Sequence, residues 1–135
     1  MSLKISAVLF DLDGTLIDSS KDLCYSYNEL LRLHNQPEAP PLQLKNDVAH
    51  GINQLFERDF SAKVGSSKNK QLRKAFTEIY EANSTLHTCL FSGVDLVLQF
   101  LNDARIPWGI VTNKIERFTK PIIQHFQELR ETQTL

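Results

Sequence analysis

The sequence predicts an α/β fold, in which helices alternate with short buried strands of a parallel sheet. Apolar runs at residues 5–10 and 106–111 are too short for helices, and each ends in polar residues. Between these runs, from about residue 16 to residue 85, apolar side chains recur at helical spacing. The length of 135 residues fits one such domain.

Turn-forming residues divide the central interval into four predicted helices. The first begins near Asp18 or Ser19, either of which can cap it, and ends before the proline-rich stretch 37–41. A short second helix ends at Gly51, and a third ends before residues 65–67. The fourth, longer helix completes an all-helical segment.

The remaining chain returns to the α/β pattern. A helix from about Val94 precedes the second apolar run, and a last helix follows it. We expect Thr119 to cap this last helix, with Pro121 in its first turn, where proline is tolerated. Residues 131–135 lack a core pattern and are predicted to fray.

Charge and cysteine content exclude several classes of protein. The chain has 15 basic and 16 acidic residues, so no field of one sign favours nucleic acid or an anionic membrane. Cys24 and Cys89 lack metal-ligand spacing and indicate a reducing compartment. No stretch has the length of a membrane helix, and no leader precedes the first strand. We therefore expect a cytoplasmic protein.

The strongest chemical pattern is an Asp-x-Asp-Gly-Thr string, residues 11–15, at the end of the first strand. Period two points Asp11 and Asp13 the same way. A calcium loop requires glycine at its sixth position and glutamate at its twelfth, where this chain has Leu16 and Asp22. The metal-binding Asp-x-Asp of a glycosyltransferase and an ordinary polar turn remain as alternatives.

The wider context of this string resembles one known family. Residues 8–19, VLFDLDGTLIDS, are similar to the first signature of the haloacid dehalogenase superfamily. Residues 109–114, GIVTNK, are similar to the second signature of that superfamily, in the version typical of its phosphoglycolate phosphatase-like branch. The helical insert with its turn at residues 49–53 is similar to that branch's cap. The resemblance implies a Rossmann-like core, residues 1–15 and 86–135, with an inserted all-helical cap, residues 16–85.

The same resemblance implies a magnesium-dependent phosphomonoester hydrolase. Asp11 would be the nucleophile that accepts the phosphoryl group, and Asp13 the acid for the leaving alkoxide and later the base for water. An oxygen of Asp11 and the Asp13 carbonyl would hold Mg²⁺. The first candidate substrate is 2-phosphoglycolate, and other small phosphorylated metabolites stay open.

Further residues receive roles from the same comparison. The expected phosphate-binding residues are Gly14, Thr15, Thr112, Asn113 and Lys114, the first two through free backbone N–H groups of their turn. The expected substrate and cap residues are Asp18, His50 and Gly51, although a surface or helix-capping role is the stronger interpretation of the histidine.

The pattern departs from the family after the second signature. The family's third signature, a later lysine, and its fourth, an acidic pair, have no counterpart in the printed sequence, so we expect the 135 residues alone to be a poor phosphatase. The alternative is a catalytically incomplete fragment or a non-enzymatic interaction protein that keeps the first half of the fold. In the family's strand order one edge of the first strand would be uncovered, which predicts self-association through that edge or a marginal monomer.

Overall fold

The computed structural model describes residues 4–132, so the last three residues of the predicted frayed tail lie outside it. Its helices and strands follow in this order: β1 (Val8–Phe10), β2 (Ile17–Asp18), α1 (Ser20–Leu33), α2 (Pro41–His50), α3 (Ile52–Phe60), α4 (Ser67–Asn83), β3 (Cys89–Leu90), α5 (Val94–Asp103), β4 (Trp108–Ile110), α6 (Glu116–His125) and a 3₁₀ turn (Gln127–Leu129). Across this part of the chain, no helix has both the length and the hydropathy to cross a bilayer.

The chain divides into two compact units. One contains the residues up to Ser19 and those from Thr88 onward, and the other contains Ser20–His87. The predicted boundaries, after residues 15 and 85, fall a few residues earlier. The difference is caused by a short antiparallel ribbon, in which Ile17 pairs with Leu90 and Asp18 pairs with Cys89. The prediction of an all-helical insert did not include this ribbon. This pairing joins residues 16–19 to the strand-containing unit.

The strand-containing unit, called the α/β unit below, has a core on one face of a small parallel sheet. β1 pairs with β4 in the register Val8–Trp108 to Phe10–Ile110. This core is formed by the two strands, the loop after β1, α5 and α6. The buried residues of the core are Leu12, Leu16, Ile17, Leu98, Leu101, Trp108, Ile110, Ile122 and Leu129. The expected Rossmann-like arrangement of strands and helices is confirmed in these parts.

The last helix differs in detail from its prediction. It begins at Glu116 after an N-cap residue, Ile115, whose side chain makes no capping bond, so Thr119 lies inside the helix and does not cap it. The Thr119 hydroxyl donates instead to the backbone carbonyls of Lys114 and Ile115, each at 3.1 Å. Pro121 consequently lies past the first turn. The predicted cap was wrong because the N-cap residue, Ile115, lies four residues before Thr119.

The helical unit, Ser20–His87, packs α1–α4 around aromatic side chains. The Tyr27 ring stacks near Phe56, with centroids 6.4 Å apart, and Phe76 stacks on Tyr80 at 5.9 Å. The fully buried Tyr27 hydroxyl donates to the Asp59 carboxylate at 2.6 Å. Burial, together with this carboxylate, raises the pKa of Tyr27 far above its ordinary value. Tyr27 therefore acts as a neutral hydrogen-bond donor that ties α1 to α3.

A buried carboxylate ties the two ends of the helical unit together. Asp22, in the first turn of α1, has no solvent exposure. Its two oxygens accept the backbone N–H of His87, each at 2.9 Å, and Oδ1 also lies 3.1 Å from the imidazole Nδ1. Asp22 thus joins the beginning of α1 to a residue 65 positions later in the chain.

Candidate active site

The parallel pairing of β1 and β4 brings two polar segments to the same end of the sheet. Asp11 follows directly after Phe10, and Thr112 comes two residues after Ile110, the register partner of Phe10. The ladder continues beyond the strands, because the Val111 N–H donates to the Phe10 carbonyl at 2.8 Å. Carboxyl ends of parallel strands are where α/β sheets bind ligands.

The loop after β1 is held by its own backbone. The Asp11 carboxylate accepts the Leu12 N–H through Oδ1 at 2.7 Å. Gly14 adopts a left-handed conformation, with φ 77°, that glycine tolerates without a steric cost. Its N–H donates to the Ile17 carbonyl at 2.9 Å, and the Thr15 N–H donates to the Leu12 carbonyl at 3.3 Å. The prediction that Gly14 and Thr15 bind an anion through free N–H groups is therefore wrong, because both N–H groups donate to backbone carbonyls. The phosphate-binding role of Gly14 and Thr15 stays a prediction, but free N–H groups do not support it.

Asp13 accepts hydrogen bonds from a nearby serine and from a lysine far away in the sequence. The Lys114 ammonium lies 3.1 Å from each Asp13 oxygen, and the Ser19 hydroxyl donates to Oδ1 at 2.5 Å. The Lys114 side chain is only 8% exposed, against 35% for Asp13. Burial outweighs the attraction of the carboxylate and lowers the pKa of Lys114 below its ordinary value.

The loop after β4 holds Lys114 in place. The Thr112 hydroxyl accepts the Lys114 N–H at 3.1 Å. A cleft of about 480 Å³ adjoins this loop, lined by the end of β4 and by α6, and it includes Thr112 and Lys114 but neither Asp11 nor Asp13. Asn113 is exposed. The structure thus brings Asp13 and Lys114 into contact and leaves Asn113 open to solvent.

The sequence matches the model of one known protein family. The model of the haloacid dehalogenase-like hydrolases matches residues 8–132. This chain belongs to that family. The resemblance noted in the sequence is confirmed, and so is the fold class that it implied.

Two curated relatives of this chain are phosphatases. A phosphoglycolate phosphatase from Xanthomonas campestris pv. campestris is 38% identical over 117 residues, which cover 87% of this chain and 52% of the relative. An N-acetylmuramic acid 6-phosphate phosphatase from Pseudomonas aeruginosa is 29% identical over 122 residues, covering 90% of this chain and 54% of that enzyme. The chain therefore spans about half the length of the curated relatives it matches.

A solved structure supports the fold independently. A haloacid dehalogenase-like family hydrolase from Streptococcus pneumoniae superimposes with a TM-score of 0.77 at 19% identity, covering 96% of this chain and 60% of that one. At this identity the likeness concerns the fold alone.

The loop after β1 offers oxygen atoms of the kind that bind magnesium. Asp11 is exposed, and one of its oxygens is engaged by the Leu12 N–H. Magnesium prefers oxygen ligands and keeps several waters, so few protein donors suffice for it. Within residues 4–132, however, no cluster of three or more histidine, cysteine, aspartate or glutamate side chains has metal-binding geometry. Asp11 and Asp13 offer oxygen donors of the kind that Mg²⁺ takes, and their role as its ligands stays a prediction.

The predicted cap residues lie in two different places. His50 ends α2, is exposed, and its Nδ1 lies 2.7 Å from the Asn46 carbonyl, a contact within its own helix. Gly51 links α2 to α3 with φ 115°, a conformation that favours glycine. Asp18 lies in the β2–β3 ribbon, opposite Cys89. Their roles toward a substrate stay predictions.

Sequence reasoning missed one residue of the site. Ser19 was considered only as a helix cap, and it does precede α1, yet its hydroxyl contacts Asp13. The available signal was its place in the first family signature, six residues after Asp13. A serine at the start of a predicted helix commonly caps it, so the local pattern does not indicate this second role.

Proposed function

We propose that this chain carries the phosphoryl-transfer centre of a magnesium-dependent phosphomonoester hydrolase, which acts through a phosphorylated Asp11. The observation that carries the proposal is the position of Asp11 and Asp13 after β1, opposite the Thr112–Lys114 loop after β4. Membership in a hydrolase family whose curated relatives are phosphatases supports it. The whole enzyme's activity and its cytoplasmic location belong to the same proposal.

Each residue is assigned a task in the reaction. An exposed Asp11 oxygen attacks phosphorus, and the substrate's alkoxide leaves with a proton from the Asp13 carboxyl. Asp13 later removes a proton from the water that hydrolyses the aspartyl phosphate. The hydroxyl of Thr112 and the amide of Asn113 donate to phosphoryl oxygens. Lys114 contributes positive charge beside the reacting carboxylates.

Magnesium would be held by an Asp11 oxygen and the Asp13 carbonyl. When bound, it neutralises charge on the transferring phosphoryl group. The substrate class that we propose is a small phosphate monoester, with 2-phosphoglycolate first and N-acetylmuramic acid 6-phosphate second. The names of the relatives support both compounds.

A single-turnover assay tests the proposal on the chain itself. The protein is mixed with Mg²⁺ and an activated aryl phosphate, quenched in acid, and its mass is measured together with the released phenol. We expect a mass increase of one phosphoryl group located on the peptide that contains Asp11. Absence of both the phosphoprotein and the released phenol would favour a non-enzymatic protein. Steady-state assays with the two named substrates measure the turnover.

Replacement of Asp13 should reveal its role through the leaving group. Asp13→Asn is expected to slow alkyl phosphates by about 10²–10⁴-fold, the usual size of general-acid catalysis, and aryl phosphates much less. Good leaving groups need little help from a proton. Ser19→Ala is the matched control, because it removes the 2.5 Å bond to Asp13 and leaves the carboxylate in place. Equal losses on both substrate types would contradict the assignment.

We expect phosphoryl transfer to require the positive charge of Lys114 at its position beside Asp13. Lys114→Met should lower the rate of phosphoryl transfer by about 10-fold or more, because electrostatic stabilisation is normally a large catalytic term. Lys120→Met is the control, since that lysine lies on α6 and is exposed. Single-turnover rates of the two variants are compared. A Lys114→Met protein as fast as the control would remove this lysine from the mechanism.

A further inference from the structure

The contact between Ser19 and Asp13 is held by backbone pairing on both of its sides. Asp13 forms a β-bridge with Ile17, and the Gly14 N–H donates to the Ile17 carbonyl at 2.9 Å. Ile17 and Asp18 in turn pair with β3, and Ser19 follows them directly. The separation of Asp13 and Ser19 is therefore set by the paired backbone of one turn.

The Ser19 side chain has little freedom at this position. The residue is 4% exposed, and its hydroxyl donates to Asp13 Oδ1 at 2.5 Å. A single χ angle separates the hydroxyl oxygen from the backbone, and staggering allows that angle three positions. A paired backbone and a buried side chain together make this hydroxyl a donor with a defined direction.

The two donors to Asp13 differ in what they can fix. The Lys114 ammonium lies 3.1 Å from each carboxylate oxygen, so its contact does not distinguish the two. An ammonium is a compact point charge without the directed geometry of a fork of donors. Among the contacts of residues 4–132, the Ser19 hydroxyl donates to Oδ1. The serine is therefore the donor that makes the two oxygens of Asp13 different.

We propose that Ser19 is a positioning residue that fixes the orientation of the Asp13 carboxyl group and leaves Oδ2 as the oxygen that exchanges a proton in the reaction. This role rests on the proposed function, in which Asp13 is the general acid and then the general base. The proton moves from Oδ2 to the leaving oxygen as the bond between that oxygen and phosphorus breaks. Oδ2 later takes a proton from the water that attacks the aspartyl phosphate. Both transfers require hydrogen-bond reach, about 2.6–3.2 Å, which a rotated carboxyl group loses.

Ser19→Ala tests the role through the leaving group of the substrate. The variant keeps the Asp13 carboxyl group and removes the bond that orients it. We expect single-turnover phosphorylation by 2-phosphoglycolate to slow about 10-fold or more, because small misplacements of a reacting group are costly. Phosphorylation by an activated aryl phosphate should stay within about twofold, because a good leaving group needs little help from a proton. Ser19→Thr keeps the hydroxyl and should restore most of the rate with 2-phosphoglycolate.

Ser66→Ala is the matched control for the loss of a serine next to a helix. Ser66 caps α4, where its side chain accepts the Asn69 N–H at 3.1 Å. Its removal should lower the melting temperature and leave the ratio of the two phosphorylation rates unchanged. Equal slowing of both substrates in Ser19→Ala, the same change of ratio in Ser66→Ala, or a folded Ser19→Thr protein as slow as Ser19→Ala would each overturn the proposal.

Crystal structures of the wild type and of Ser19→Ala give a readout that does not depend on activity. The Asp13 side chain should keep one orientation in the wild type, with Oδ1 on the Ser19 hydroxyl. In the variant it should rotate by more than about 30°, enough to leave its rotamer. A wild type that transfers no phosphoryl group contradicts the proposed function, whereas an Asp13 with the same orientation in both structures contradicts the positioning role of Ser19.

Discussion

Asp11→Asn is expected to abolish phosphoryl transfer and leave the fold intact. An amide cannot attack phosphorus as a carboxylate does, and loss of a nucleophile commonly costs several orders of magnitude in rate, so we expect a fall of at least about 100-fold. The amide oxygen can still accept the Leu12 N–H, now 2.7 Å from Asp11 Oδ1. Single-turnover release of phenol and the mass of the acid-quenched protein measure the effect.

Asp103→Asn is the matched control for this experiment. It makes the same chemical change at an exposed residue near the end of α5, in the same unit. Its rate and melting temperature should equal those of wild type. Phosphorylation of the Asp11→Asn protein, or a rate above a hundredth of wild type, would remove Asp11 from the nucleophile's role.

Asp22→Ala is expected to produce the largest loss of stability among the carboxylate variants. The substitution leaves the His87 N–H without the acceptor that holds it at 2.9 Å, next to a fully buried position. Hydrogen bonds to charged groups contribute roughly 1.5–3 kcal/mol, so we expect the free energy of unfolding to fall by about 2–3 kcal/mol. Urea unfolding followed by far-ultraviolet circular dichroism measures it.

Asp95→Ala separates this contact from a general helix effect. Asp95 is also an acidic residue in the first turn of its helix, α5, but it is exposed. Its removal should cost only the interaction with the helix dipole, about 0.3–1 kcal/mol. Equal losses for Asp22→Ala and Asp95→Ala would show that the His87 contact contributes little.

The largest departures from the sequence prediction involve pairs of residues far apart in the chain. The β2–β3 ribbon joins residues 17–18 to residues 89–90. Both segments are two residues long, too short to show the alternation by which a strand is recognised. The start of α6 departs from its prediction within a local segment. A threonine followed closely by proline is typical of a helix start, yet backbone bonds at Ile115 begin the helix earlier.

The sequence by itself determined where chemistry is concentrated in this protein. A short apolar run that ends in Asp-x-Asp-Gly and another that ends in Thr-Asn-Lys indicate two buried strands with functional carboxyl ends, and both strands lie within the predicted runs. Such information is local, because strand length, apolar periodicity and turn chemistry are set by neighbouring residues. The helices of the insert were predictable for the same reason.

Only the tertiary structure decided which side chains meet. Lys114 contacts Asp13 across 101 positions of sequence, and Asp22 contacts His87 across 65. No local pattern predicts that Lys114 meets Asp13, and none distinguishes Asp22 from the exposed Asp95. Packing of the core fixes the register of β1 and β4, and that register aligns the two loops so that one lysine is buried against a carboxylate. The partners of a charged side chain therefore depend on how the sheet pairs, which short-range sequence patterns do not encode.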